Sequence, residues 1–221
     1  MMTRPTLHGE YVTLRSPRPS DQADRLQIGY VPEYAHLCGG EPAPGHAYTE
    51  DDAAAWYERL AAEPHGWAIV AEARCIGLAR LHSLDETHRR ARYAIGIFDP
   101  AAWGQGCGTE ATRLVLRYAF ETLGLHRVDL RVIAYNERAI ACYTKCGFRR
   151  EGVEREGAWI GGQWHSDVMM SILEHEYRDR RQDIWPHSPM PPYLAATPPP
   201  RYPQSRYNGI MFGNQHPIGE E

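Results

Sequence analysis

Three glycines at every second position, Gly104, Gly106 and Gly108, stand in the stretch Asp99-Pro100-Ala101-Ala102-Trp103-Gly104-Gln105-Gly106-Cys107-Gly108-Thr109-Glu110-Ala111. Glycine lacks a Cβ and admits φ > 0, so the backbone N–H groups of residues 105–109 can converge on one anion. Residues 93–98 before the stretch read as a strand. After it, Cys107, Ala111, Leu114, Val115, Tyr118 and Ala119 fall on one stripe of 3.6-residue period, which predicts a helix with Glu110, Arg113, Arg117 and Glu121 on its other face. A helix N-terminus adds partial positive charge at the same place. The chemistry that strand, glycine turn and helix start predict is a cradle for a phosphate or pyrophosphate. No Gly-Lys-Ser/Thr follows, so this is no Walker A loop, and the spacing does not fit Gly-x-Gly-x-x-Gly.

A second group of candidates lies in Asn136-Glu137-Arg138-Ala139-Ile140-Ala141-Cys142-Tyr143-Thr144-Lys145-Cys146-Gly147-Phe148. Asn136 and Tyr143 are seven residues apart, two helical turns along one face. A phenol of pKa near 10 can donate a proton to a thiolate of comparable basicity, although on the residues alone Tyr143 reads as a core aromatic.

Taken together, the two stretches resemble the GNAT acyl-CoA N-acyltransferases, in particular the branch that acetylates ribosomal-protein N-termini and many small amines. Gly106-x-Gly108 matches the end of that family's pyrophosphate loop, Arg/Gln-x-x-Gly-x-Gly/Ala, with Trp103 where the Arg or Gln usually stands. The motif Asn-x-x-Ala-x-x-x-Tyr-x-Lys-x-Gly-Phe is matched throughout by Asn136, Ala139, Tyr143, Lys145, Gly147 and Phe148. The resemblance covers roughly residues 7–178. It implies acetyl-CoA as cosubstrate, with Gly104, Gln105, Gly106, Cys107, Gly108 and Thr109 around its pyrophosphate. It further implies that Ile95, Gly96 and Ile97 pair their backbone with the pantetheine arm as an added strand, that Asn136 hydrogen-bonds the cosubstrate, and that Tyr143 is the general acid. The implied reaction is direct transfer of acetyl to a primary amine, a small molecule or a peptide N-terminus, in a ternary complex. Another acyl donor, or a CoA-binding sensor without turnover, fits the same loop. An alkylamine is about one part in a thousand neutral at pH 7, so a base would help. His82, Asp85, Tyr93, His165 and Asp167 are candidates, and no spacing selects among them.

Composition narrows the class. With 43% apolar and 24% charged residues in 221, the chain can bury a core. A net charge of −4 argues against a nucleic-acid partner. No apolar run reaches the roughly 18 residues of a membrane span, and residues 1–5 hold no apolar signal core, which makes the cytoplasm the expected location. Five unpatterned cysteines and scattered histidines predict free thiols and no metal.

The elements that must position these residues are legible in outline. Strands are expected over 7–15, 67–72, 75–84, 88–98, 126–134, from 148, and over 164–173. Helices are expected from Asp21 to about Tyr30, after a Thr49-Glu50-Asp51-Asp52 cap, after the glycine loop, and after Asn136. Residues 31–48 read as a long loop shaping the acceptor pocket, and 152–162 as a connection. The sum is an α/β fold: a mixed, mostly antiparallel sheet of six to seven strands, flanked by about four helices, with a splayed central strand pair. The acyltransferase domain is expected over residues 1–180. Residues 181–221 are expected to be a tail, because nine of the chain's seventeen prolines lie between Pro186 and Pro217. The tail's aromatic residues could anchor it to the domain or to a second subunit in a homodimer.

Overall fold

The alternating and 3.6-period patterns become a mixed sheet with helices on both faces. In a computed structural model the described residues are 4–41, 43 and 45–185; the Pro-rich stretch from Pro186 lies outside them. The strands are β1 (Leu7–His8), β2 (Thr13–Arg15), β3 (His65–Ala71), β4 (Arg74–Asp85), β5 (Arg90–Ile97), β6 (Arg127–Ile133), β7 (Arg149–Ile160) and β8 (Gln163–Leu173). The helices are α1 (Asp21–Ile28), α2 (Pro32–Leu37), α3 (Glu50–Ala62), α4 (Cys107–Glu121), α5 (Glu137–Lys145) and α6 (Glu174–Ile184). The strands form one sheet in the order β1-β2-β3-β4-β5-β6-β8-β7. Neighbours are antiparallel except β5 and β6, which run parallel and pair only at Arg90–Arg127, Ala91–Val128 and Arg92–Asp129. Beyond that rung the two strands part, which is the expected central splay.

The core forms where the apolar stripes meet the sheet. Leu114, Val115 and Ala119 of α4 are fully enclosed, as are Leu130 and Val128 of β6. On the other face Trp56 and Leu60 of α3 pack with Ala68, Cys75 and Phe98. Thr49 and Asp52 close α3 with a reciprocal capping box, as the Thr49-Glu50-Asp51-Asp52 stretch predicts.

Several elements differ from the expectation. The first strand is broken into β1 and β2, which makes eight strands among the described residues. The break is held by Glu110, whose carboxylate accepts from the backbone N–H groups of Glu10 (2.6 Å), Tyr11 (2.8 Å) and Val12 (2.8 Å). Glu110 therefore faces this turn and not open solvent. Glu121, also expected on the exposed face, accepts from the Tyr177 hydroxyl at 2.6 Å and from Arg181 at 2.7 Å. Both donors come from α6, a helix the sequence pattern does not predict, which runs through the expected boundary at residue 180. Of the expected connection 152–162, residues 152–160 are the body of β7, and only Gly161 and Gly162 turn the chain into β8. That strand pairs on one side only, with β8, and its register slips at Arg150/Gly152 and Glu154/Ala158. A polar, glycine-containing edge strand with bulges looks like a loop in sequence.

Removing the Glu110 carboxylate leaves three N–H groups of the β1–β2 turn without their acceptor. Glu110→Ala is expected to lower stability by about 1–3 kcal/mol, measured by urea unfolding; an unchanged midpoint refutes the role.

Candidate active site

The parting of β5 from β6 opens a cavity of about 800 Å³. Its walls come from both faces of the sheet. Arg80 of β4 stands opposite Ala94 of β5, so their side chains share one face. From that face α3 contributes Trp56, Arg59, Leu60 and Glu63, and α2 contributes Tyr34 and Leu37. Tyr93 points to the opposite face, where its ring stacks on Phe148 at 6.3 Å and meets Tyr143 edge-on at 6.4 Å. That face supplies the glycine loop and α5.

The loop is built as its glycines predict. Gly104 (φ 75°) and Gly106 (φ 86°) are left-handed, and a Cβ on either would meet no atom within 4 Å, so the loop's surface is open. Gly106 is the N-cap of α4 and brings no side-chain acceptor, which leaves the first-turn N–H groups free for an anion. Trp103 turns its indole inward and donates from Nε1 to the Ile97 carbonyl at 2.8 Å. The Arg138 guanidinium lies over that indole, 3.9 Å from the ring centroid. A cation from α5 thus stands beside the position where the sequence shows Trp103 in place of a polar or charged residue.

Ile95, Gly96, Ile97, Gly104, Gly106, Gly108, Thr109, Asn136 and Tyr143 all line the cavity. Gln105 and Cys107 do not; the Cys107 side chain is buried under the start of α4. Gly96 sits under the Tyr34 hydroxyl, and any Cβ there would collide with it. Tyr143 is 7% exposed, wedged against Tyr93 and Phe148. Burial pushes its phenol above the usual value, so it holds its proton throughout the physiological range. Asn136 carries structural bonds: its Oδ1 accepts from Ala139 N–H (3.0 Å) as the cap of α5, and its Nδ2 donates to the Leu37 carbonyl (2.8 Å). Beside it the Tyr135 hydroxyl donates to the His36 carbonyl at 2.6 Å, and the two rings stack at 4.4 Å. These contacts fasten α2, the helix formed where a loop is expected, over the splay.

Of the five candidate bases only Tyr93 lines the cavity, and its hydroxyl is 3.0 Å from Thr112 Oγ1 in a buried site. Asp85 holds His88, Asp167 holds Arg131 at 2.9 Å, His165 packs edge-on to Tyr135, and His82 lies beside Ser83. The residues missed in the sequence are Tyr34, Arg59, Glu63, Arg80 and Arg138. Arg138 alone had a signal, its place two residues after the cap Asn136.

Residues 12–149 match the family model for the acetyltransferase (GNAT) domain. The chain belongs to the GNAT acetyltransferase family. It is 29% identical over 179 residues to YdaF of Bacillus subtilis (strain 168), provisionally named a ribosomal N-acetyltransferase, covering 78% of this chain and 96% of that protein. Over 101 residues it is 38% identical to the spermidine N(1)-acetyltransferase of Escherichia coli K12, 46% of this chain and 54% of the enzyme. It thus spans about half the length of that relative. The crystal structure of Vibrio cholerae spermidine N-acetyltransferase with CoA and spermine aligns with TM-score 0.64 and 26% identity, covering 76% of this chain and 99% of that one. A structure from T. thermophilus, provisionally described as an acetyltransferase, aligns with TM-score 0.70 and 28% identity over 83% of this chain and 97% of that one. Among the described residues no helix is long and apolar enough to cross a membrane, and no three His, Cys, Asp or Glu side chains cluster as a metal site would need.

One wall residue has unusual acidity. The Cys146 thiol beside it and the Thr109 hydroxyl at 3.4 Å hold the Cys142 thiol below the usual range. The same contact with Cys142, and then burial, push Cys146 the other way, and burial raises Cys75 and Cys107. At pH 7 iodoacetamide is therefore expected to label Cys142 ahead of the buried Cys75, Cys107 and Cys146, with the rate falling at lower pH as the thiolate takes a proton. Peptide mapping by mass spectrometry checks this; labelling of Cys75, Cys107 or Cys146 ahead of Cys142 refutes it.

Proposed function

We propose that the protein is an acetyl-CoA-dependent N-acetyltransferase acting on a primary amine. The observation that carries this reading is one cavity lined at once by the open glycine loop, by the unpaired edge of β5 at Ile95, Gly96 and Ile97, and by the protonated Tyr143 hydroxyl. Acetyl-CoA supplies the activated thioester. The chain's own residues bind and orient it: the N–H groups of residues 105–109 face the pyrophosphate, and Arg138 adds the positive charge that Trp103 lacks. The free N–H and C=O groups of β5, which β6 leaves unpaired beyond Arg92, take up the extended arm as an additional strand.

The transfer forms a C–N bond and breaks the C–S bond. The amine gives up a proton to solvent, the departing sulfur receives the Tyr143 proton and leaves as free thiol, and the phenolate regains a proton from solvent. A phenol raised by burial stays protonated at the pH of the reaction, and the same apolar surroundings that raise it disfavour a free thiolate, so the proton passes to sulfur as the C–S bond breaks. The edge-on neighbours Tyr93 and Phe148 fix the ring that delivers it. Asn136 serves by capping α5 and by tethering α2, and so keeps Tyr143 and the α2 wall in register across the splay.

Release of free thiol from acetyl-CoA with a panel of amines tests the reading, and no release with any amine refutes it. Tyr143→Phe is expected to lower kcat by about 10²–10⁴-fold with the KM for acetyl-CoA unchanged. An unchanged kcat removes Tyr143 as the acid. Arg138→Ala is expected to raise the KM for acetyl-CoA several-fold, more at low salt than at high salt, because an exposed cation acts through a screened field.

A further inference from the structure

The cavity's charges are lopsided. Arg59, Arg80, Arg131, Arg138 and Lys145 line it, against a single lining carboxylate, Glu63. Arg138 and Lys145 stand on α5, on the side of the glycine loop, where a pyrophosphate accounts for them. Arg59 and Arg80 stand on the opposite side of the sheet, with α3 and β4, at the mouth that remains for the acceptor.

At that mouth most charges are already matched. Arg80 is paired with Glu63 at 2.5 Å. Arg131 is paired with Asp167 at 2.9 Å and also with Glu154. Arg59 lies on the cavity face of α3, because it falls between Trp56 and Glu63 at helical spacing and all three line the cavity. Among the described residues no carboxylate is within ion-pairing distance of Arg59. Among the described residues the acceptor mouth therefore offers a guanidinium without a carboxylate partner and no carboxylate without a cation.

We infer that the acceptor is an amine carrying an anionic group, a carboxylate or a phosphate, and that Arg59 binds that group. This rests on the transferase reading above. A polyamine has the opposite requirement: its distal ammonium groups need carboxylates, and Glu63, the one lining carboxylate, is held by Arg80. The relatives named for spermidine thus do not set the acceptor class of this chain. The same cations favour the neutral form of an incoming amine, which matters in a cavity whose only lining candidate base, Tyr93, is buried and hydrogen-bonded.

The test measures thiol release from acetyl-CoA by the full-length protein with matched acceptors: Ala-Asp against Ala-Asn, phosphoethanolamine against ethanolamine, and spermidine. Expected is a kcat/KM about tenfold or more higher for the anionic member of at least one pair, the two pairs distinguishing carboxylate from phosphate. Arg59→Ala is expected to erase that preference through the acceptor KM while leaving the KM for acetyl-CoA unchanged, and Arg59→Lys to keep part of it. Equal rates within both pairs, spermidine as the best acceptor, or a preference that survives Arg59→Ala overturns the inference and leaves the transferase reading standing. No thiol release with any acceptor overturns both.

Discussion

The structure depends on a defect in its sheet. β5 and β6 share three rungs and then separate, although each remains paired along its other edge, β5 with β4 from Gly77–Ile97 to Asp85–Arg90 and β6 with β8 over its whole length. Two half-bonded strands inside an eight-stranded sheet would ordinarily be costly, because buried N–H and C=O groups need partners. Here the cost is reduced by side chains. The Trp103 indole takes the Ile97 carbonyl, and the Tyr34 ring fills the space that the absent Cβ of Gly96 leaves. The remaining polar edge is what an extended ligand arm can use, so the defect and the proposed binding mode are one feature.

Keeping the strands apart requires a frame that does not close. Arg92 and Asp129 pair at 3.1 Å on the last shared rung. Above it, α4 and α5 pack on one face, and the large side chains of Tyr93, Tyr143 and Phe148 prop the gap. α4 is itself fixed at both ends by polar contacts. Glu110 holds the β1–β2 turn at its start, and Glu121 holds Tyr177 and the fully buried Arg181 at its end, where Phe120 and Tyr177 also stack at 4.9 Å. A buried carboxylate–guanidinium pair gives little net stability, but breaking it leaves an uncompensated charge, so such contacts lock the helix in one position. The helix that presents the glycine loop is thereby tied to both ends of the described chain.

The central motifs were readable because their signals are local. Glycines at 104 and 106 require left-handed backbone, and that requirement is visible in residue type. The stripe of α4 and the cap at Asn136 lie within a few turns of the residues they govern. The elements misread are those whose pattern depends on distant partners. α2 has no buried residue of its own and forms as a wall only because Tyr135 and Asn136, some hundred positions later, accept it. β7 is exposed almost throughout and is a strand only because β8 pairs with it. α6 has little apolar periodicity; its buried contacts are an ion pair and a stacked ring from α4.

By itself the sequence determined the glycine cradle, the helix that follows it, the capped helix bearing Tyr143 and the α/β class, since each follows from backbone freedom or periodicity over a short span. Tertiary structure alone decided which charges meet in the cavity. It put Arg138 over Trp103, Arg80 on Glu63 and Arg59 opposite the splay, and it directed Asp85, Asp167 and His165 to other partners. Charge pairing is a property of three-dimensional distance, and residues 17 to 36 positions apart, such as Glu63 and Arg80 or Arg131 and Asp167, carry no sequence mark of that nearness.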